Sequence, residues 1–147
     1  MGTEHAPVRL RQTEDYRFEI DFGMPPLLAA ELPPPLGQGR GPSPEHLLAA
    51  AVGNCLSASL LFALRKLKQR PDPISTEVEW DVGRNADQRL RVLALRARLT
   101  LGVPAAALEH LEHVLATFET YCTVTQSVAA GIAVELQVFD SLGARLK

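Results

Sequence analysis

From Leu47 to Leu64 the chain is apolar on nearly every face of a helix, and that run limits what the rest can be. Ser43 is a good N-cap and Pro44 suits the first helical position. Glu45 puts a carboxylate in the first turn, where the helix dipole favours one. Arg65, Lys66, Lys68 and Arg70 complement the far end and Pro71 stops it, so the pattern predicts a helix to about Gln69. A helix without a polar face has to be surrounded, by its own sheet or by a partner chain. The run falls slightly short of the about 20 residues a membrane span needs, and it holds Asn54, Ser57 and Ser59. It therefore reads as a buried helix, not a membrane segment.

The flanking sequence supplies the sheet. Val8 to Phe22 reads as two strands, with Phe18, Ile20 and Phe22 alternating with charged residues and Gln12 to Asp15 as the turn. Leu27 to Leu32 is a third, short strand, and Pro33 to Pro42 is a proline- and glycine-rich loop. After the helix, Ile74, Val78, Trp80 and Val82 face one way and Glu77, Glu79 and Asp81 the other. Gly83 to Gln88 turns the chain. Leu93, Leu95, Ala97, Leu99 and Leu101 then point inward, with Arg96 and Arg98 outward for cross-strand pairing. Gly102 and Pro104 lead into a helix to about Tyr121 with Leu108, Leu111, Val114, Leu115 and Phe118 as its buried stripe. A short helix from Cys122 to about Ala130 and a last strand over Ile132 to Val138 complete the order. Residues 1–147 form one α+β domain on this reading.

Composition narrows the function classes. The net charge is −2, so nothing argues for a nucleic-acid or anionic-membrane surface. Met1 to Leu10 carries Glu4 and His5 and no apolar core, so it does not read as a secretory signal, and a cytoplasmic location is expected. In that compartment two cysteines are free, catalytic or redox-active more often than a permanent crosslink.

Those two are Cys55, inside the apolar helix, and Cys122, at the head of a short one. Gly53, Asn54, Ser57 and Ser59 interrupt the apolar surface around Cys55 and leave room for a ligand or a close backbone. At Cys122 the helix-terminal N–H groups would stabilise a thiolate. Packing alone would also account for either residue. A reactive thiolate needs a cation held in place, and an arginine paired with a carboxylate does this with fixed geometry. Glu45 is the carboxylate candidate, and Arg9, Arg11, Arg17 and Arg40 are the arginines upstream of the helix. Ten residues of straight helix rise about 15 Å, so Glu45 would serve Cys55 of a partner subunit more naturally than that of its own chain. His110 and His113 stand three apart, which does not match a His-Glu-x-x-His zinc motif, and read as a polar helix face. No phosphate-binding glycine motif and no nucleophile elbow are present.

The stretch Gly41-Pro42-Ser43-Pro44-Glu45-His46 through Asn54-Cys55 resembles the motif that opens the central helix of the OsmC/Ohr family, the osmotically inducible and organic hydroperoxide resistance proteins. Glu45 and Cys55 keep the family spacing. Tyr121-Cys122-Thr123 before the last strand is similar to the second family motif, with Thr123 where the family often has proline. The resemblance implies an OsmC-like fold: antiparallel sheets wrapped around a long central apolar helix in an intertwined homodimer with shared active sites. It implies a peroxidase that reduces hydroperoxides, preferably organic ones, with an external dithiol as reductant and no metal or other cofactor. Cys55 would be the peroxidatic cysteine and Cys122 the resolving one. Glu45 would orient the catalytic arginine, with Arg17 matching one family arrangement and Arg40 another. An alkyl group would lie against Leu48, Val52, Leu56 and Leu60, with Arg40 also on the substrate side. Two other readings stay open: a non-enzymatic protein binding a small apolar ligand at the dimer interface, and a cysteine–histidine hydrolase using His46.

Overall fold

A computed structural model describes residues 5–147; positions 1–4 of the segment read for a signal sequence lie outside it. The chain falls into two compact units, one ending at Leu47 and one spanning Leu48–Lys147. Its elements are strands β1 (Arg9–Glu14), β2 (Arg17–Asp21) and β3 (Leu28–Glu31), helix α1 (Pro44–Lys66), strands β4 (Ser75–Arg84) and β5 (Leu90–Thr100), helices α2 (Leu111–Thr117) and α3 (Thr123–Ala129), and strand β6 (Ala133–Phe139). The mixed α+β class is as the sequence predicts.

In the first unit β1, β2 and β3 form an antiparallel sheet in that order. Leu10 pairs with Ile20 and Phe18 with Ala30. The first turn is tighter than the polar run suggests. Gln12 and Glu14 stay in β1 across a register shift, and Asp15 alone takes a left-handed φ of 43°. Aspartate tolerates that conformation better than most residues. Ile20 and Ala30 are buried, whereas Leu10, Phe18 and Phe22 are exposed.

In the second unit α1 lies against the sheet β4–β5–β6. Val52, Leu56, Leu60 and Leu64 recur every four residues, and all are fully enclosed. Burial of each leucine contributes roughly 1.5–3 kcal/mol. They meet Leu95, Ala97, Leu99, Val114, Phe118 and Val138 in one core. By length and composition alone α1 would cross a membrane, yet this face of it is protein interior. The opposite side, with Ala51, Ala58 and Phe62, is exposed. The helix stops about a turn before the predicted end. Lys68 adopts φ 62°, its N–H donates to the Arg65 carbonyl, and the Gln69 N–H donates to the Leu64 carbonyl. These two bonds form a Schellman cap, closing the helix before Pro71 is reached.

Three further details differ from the sequence pattern. β4 and β5 pair antiparallel, but β5 and β6 run parallel, so the second sheet is not antiparallel throughout. Strand patterns carry no direction, and the helical crossover between Thr100 and Ala133 returns the chain to the starting end. A register shift opposite Asp81 and Val82 turns Leu93 outward, leaving it exposed, while Val92 packs on the core. The helix expected up to Tyr121 is broken into a 3-10 turn at Ala105–Ala107, α2, and a second 3-10 turn at Phe118–Tyr121. The break falls at His110, which takes a left-handed φ of 60° before α2. The expected stripe nonetheless packs inward, with Val114, Leu115 and Phe118 buried. Arg96 faces Asp81 and Glu79 on the outer face, as the alternating charges predict.

Candidate active site

Helical spacing sets the place of Cys55. With Val52 and Leu56 on the core face, Cys55 and Ser59 lie one above the other on the adjoining face, and Cys55 is half-buried. Opposite it is the head of α3. Cys122 is the N-cap residue there, in extended conformation, and is completely buried. Both cysteines are free. The Cys122 thiol hydrogen-bonds the hydroxyl of Thr125, itself buried, at 3.0 Å. The α3 turn is fixed by the Gln126 N–H donating to the Cys122 carbonyl at 2.9 Å and the Ser127 hydroxyl donating to the Thr123 carbonyl at 2.8 Å.

The two thiols shift in opposite directions. Burial opposes ionisation of Cys55, but donors converge on its sulfur and outweigh it: the Cys122 thiol, the backbone N–H groups of Val124 and Thr125, and the Ser59 hydroxyl. Its pKa falls below the ordinary thiol value. Burial pushes Cys122 up, and its role as donor to Cys55 pushes it further, against the hydroxyl and N–H of Thr125. The sequence predicts that the helix terminus favours a thiolate at Cys122. The structure directs that stabilisation chiefly to Cys55, because Cys122 has lost its solvent and Cys55 has not. The arrangement makes Cys55 the more readily ionised of the two thiols.

A cavity of about 550 Å³ opens beside Cys55. Its apolar wall is Ala58, Phe62, Ala63, Leu67, Val114 and Tyr121, and its polar groups include Ser59, Lys66, His113 and Thr123. Leu48 and Val52, the expected substrate contacts, do not line it. Val52 has no exposed surface and Leu48 packs against the core, as do Leu56 and Leu60. The ligand-accessible face of α1 is the one carrying Cys55, Ser59 and Phe62.

The first unit holds an arginine–carboxylate cluster. Arg40 donates from Nε to Glu31 Oε2 at 2.9 Å and from Nη2 to Glu31 Oε1 at 3.0 Å, and its backbone N–H also reaches Oε2 at 2.9 Å. Its Nη2 also reaches Glu14 at 3.0 Å. The side chain of Glu31 is almost wholly buried. The Arg40 guanidinium, with backbone N–H groups of Arg40 and Gln38, holds the Glu31 carboxyl at about 2 despite burial. The glycines of the loop make this possible. A Cβ at Gly37 would collide with the Leu32 carbonyl oxygen, and one at Gly41 with that of Ala29. Arg17 Nη1 lies 3.6 Å from the same carboxylate and is buried without a hydrogen-bond partner. Arg17 and Arg40 thus share a carboxylate, as a held cation requires, but it is Glu31 and not the expected Glu45. Glu45 occupies the first turn of α1. Arg11 pairs with Glu19 at the surface. Ser43 and His46 cap one another across that turn, with the Ser43 N–H donating to His46 Nδ1 at 3.1 Å. Among the described residues no group of three His, Cys, Asp or Glu side chains is placed to hold a metal ion.

The OsmC-like protein family model matches residues 37–137, which include both cysteines and both helices that present them. The chain belongs to the OsmC-like protein family. A search of curated proteins finds no match. Solved OsmC-like structures share the fold. An OsmC-like protein of unknown function from Vibrio cholerae superposes with a TM-score of 0.78 at 15% identity, over 92% of this chain and 99% of that one. An organic hydroperoxide resistance protein OsmC from Legionella pneumophila gives 0.71 at 15% identity, over 95% and 99%. The organic hydroperoxide resistance protein OhrB of Bacillus subtilis gives 0.71 at 16%, over 92% and 98%.

Proposed function

We propose that this OsmC-like protein is a thiol-dependent peroxidase that reduces organic hydroperoxides in the cytoplasm. The carrying observation is that Cys55 on α1 opens to the cavity and faces the buried Cys122 thiol at the head of α3, with the first pKa lowered and the second raised. The Cys55 thiolate attacks the distal peroxide oxygen, the O–O bond breaks, and the departing alkoxide takes a proton to leave as alcohol. Cys55 becomes a sulfenic acid. The Cys122 thiol gives up its proton and its sulfur displaces the sulfenic oxygen as water, forming the Cys55–Cys122 disulfide. An external dithiol supplies two electrons and two protons to restore both thiols. The reverse roles fit less well, since the buried, raised thiol is the poorer nucleophile toward an incoming peroxide.

The active enzyme is a homodimer in this reading. The first sheet leaves Leu10, Phe18 and Phe22 exposed and α1 leaves Phe62 exposed, apolar surface that a second copy would cover. Arg17 Nη1, buried without an acceptor, supports a role for that guanidinium at a peroxide oxygen in the assembled site. Glu31 would be its positioning carboxylate, and Glu45 remains a contributor from the partner subunit.

Cumene hydroperoxide consumption with dithiothreitol is the direct test. Wild-type turnover retained by Cys55→Ser would overturn the mechanism. Mass spectrometry after one equivalent of peroxide tests the resolving step, since disulfide formation removes two hydrogens from the reduced chain. The cavity beside Cys55 also favours a second reading, a binding protein for a small apolar ligand. An unchanged mass after peroxide would support that alternative.

A further inference from the structure

We infer that Lys147 is a positioning residue for Cys122: its ammonium clasps the 3-10 turn that delivers this cysteine, and the clasp decides how a Cys55 sulfenic acid divides between disulfide and over-oxidation. The second role rests on the proposed peroxidase; the clasp itself does not.

The chain brings Lys147 into place by folding back on β6. Asp140 follows that strand and is buried. Its carboxylate accepts the backbone N–H groups of Leu142 at 3.0 Å, Ala144 at 2.9 Å and Ala105 at 2.9 Å. Gly143 turns the chain at φ 84°. Arg145 then bridges antiparallel to Phe139, and Leu146 packs against the core. Val138 donates to the Lys147 carbonyl at 3.1 Å, and the Lys147 N–H returns a bond to the Val138 carbonyl at 3.2 Å. The backbone of Lys147 is thus fixed independently of its side chain.

The ammonium meets three groups along one stretch of chain. It donates to the Leu115 carbonyl in the last turn of α2, where carbonyls lack helical donors. It pairs with the Glu119 carboxylate and stands 5.7 Å from the centre of the buried Phe118 ring. Glu119 passes the restraint on. Its carbonyl accepts the Cys122 N–H at 3.1 Å and the Gln126 side-chain amide at 3.0 Å. A four-residue 3-10 turn has poor hydrogen-bond geometry of its own. The seven-residue helices on either side are too short to be stable alone. Outside contacts must therefore hold Cys122 in its buried place, and Lys147 supplies several at once.

The stability of this turn matters once in each cycle. With Cys122 in place, its sulfur displaces the sulfenic oxygen of Cys55 as water and the disulfide forms. With the turn open, a second hydroperoxide gives the sulfenic acid one oxygen and leaves as alcohol. Cys55 is then a sulfinic acid, which a dithiol does not reduce. The ratio of the two products follows the open fraction of the turn, and a partly exposed ion pair changes such a fraction about two- to fivefold.

Two measurements test the clasp and its consequence separately. In Cys55→Ser the buried Cys122 is the one remaining cysteine, so its alkylation by iodoacetamide reports opening of the turn. Adding Lys147→Gln or Glu119→Gln should speed alkylation about two- to fivefold. Lys147→Arg, which keeps the charge, should stay near the parent. Arg96→Gln breaks an ion pair on the outer face of the sheet and should change nothing. With both cysteines present and cumene hydroperoxide in excess, Lys147→Gln should raise the ratio of sulfinic acid to disulfide by the same factor. The rate of the first oxidation of Cys55 should not change. Alkylation of Lys147→Gln at the parental rate would overturn the inference, as would faster alkylation with an unchanged product ratio. Faster alkylation in a chain whose cysteines do not react with peroxide keeps the clasp and removes the peroxidase.

Discussion

Arg40 holds Glu31 with both arms of its guanidinium, Nε at 2.9 Å and Nη2 at 3.0 Å, and adds its own backbone N–H to the same carboxylate. The Glu31 pKa is lowered from 4.5 to about 2 in the folded chain. A carboxyl depressed by folding binds its proton more weakly in the native state than in the unfolded one. Its contribution to stability is therefore fully present above the unfolded value and fades as pH falls from about 4.5 towards 2. Urea unfolding followed across that window should show wild-type stability dropping with acid. Glu31→Gln should be less stable at pH 7 and respond less to acid between those limits. Parallel wild-type and variant curves would remove Glu31 as the titrating group.

The cysteine pair gives a second prediction. Hydrogen bonding from Cys122 helps to hold Cys55 as a thiolate against the cost of burial. Alkylation of Cys55 by iodoacetamide, followed against pH by peptide mass, should reach its half-maximal rate below the ordinary thiol range. Cys122→Ala removes a donor and should move the midpoint up. Cys122→Ser keeps a hydroxyl donor and should fall between. An unchanged midpoint in Cys122→Ala would mean that the α3 N–H groups and Ser59 suffice alone.

Much of this was legible in the chain. The Ser43-Pro44-Glu45 start of α1, the alternation of β4 and β6, and the placing of one cysteine inside a helix and the other at a helix head all rest on local rules, and the structure keeps them. What was not legible depends on tertiary choices. Leu48 and Val52 looked like substrate contacts because they neighbour Cys55, but a four-residue spacing puts them on the core face. Glu31 was hidden in the apolar run Leu27 to Leu32. A carboxylate in an apolar strand implies a paired cation, because a buried charge has to be paired. The direction of β6 and the outward turn of Leu93 carry no mark in residue type.

The Schellman cap of α1 predicts a stabilising change. Lys68 sits at the left-handed position with φ 62°, where a Cβ costs roughly 1–2 kcal/mol and glycine costs none of it. The side chain is exposed and makes no ion pair among the described residues. Lys68→Gly should raise stability by about 1 kcal/mol after the added flexibility of the unfolded chain is set against the relief. For a chain of this size that is a rise in melting temperature of about 3 °C, measurable by circular dichroism. A lowered melting temperature would mean that Lys68 makes a contribution its backbone strain conceals.

Gly53 carries the opposite prediction, because here helix propensity and packing conflict. Glycine inside a helix costs about 1 kcal/mol relative to alanine, so Gly53→Ala would stabilise α1 on propensity alone. The helix meets β4 at this residue, and an added Cβ would lie 2.9 Å from Cγ2 of Val78 and 3.5 Å from Cγ2 of Thr76. Val78 cannot swing aside easily, since its χ1 is restricted and its neighbours are core. Thr76 is tied to Ser57, whose hydroxyl lies 2.5 Å from that of Thr76. Overpacking of this kind costs about 1–3 kcal/mol, so the net effect should be a loss of about 1 kcal/mol. Gly83→Ala is the control. Its new Cβ would meet only Cδ1 and Cγ of Leu93, an exposed side chain free to rotate, so a smaller loss is expected. Denaturant unfolding of both variants decides the matter. If Gly53→Ala is the more stable of the two, α1 and β4 are not held as closely at that crossing as the structure places them.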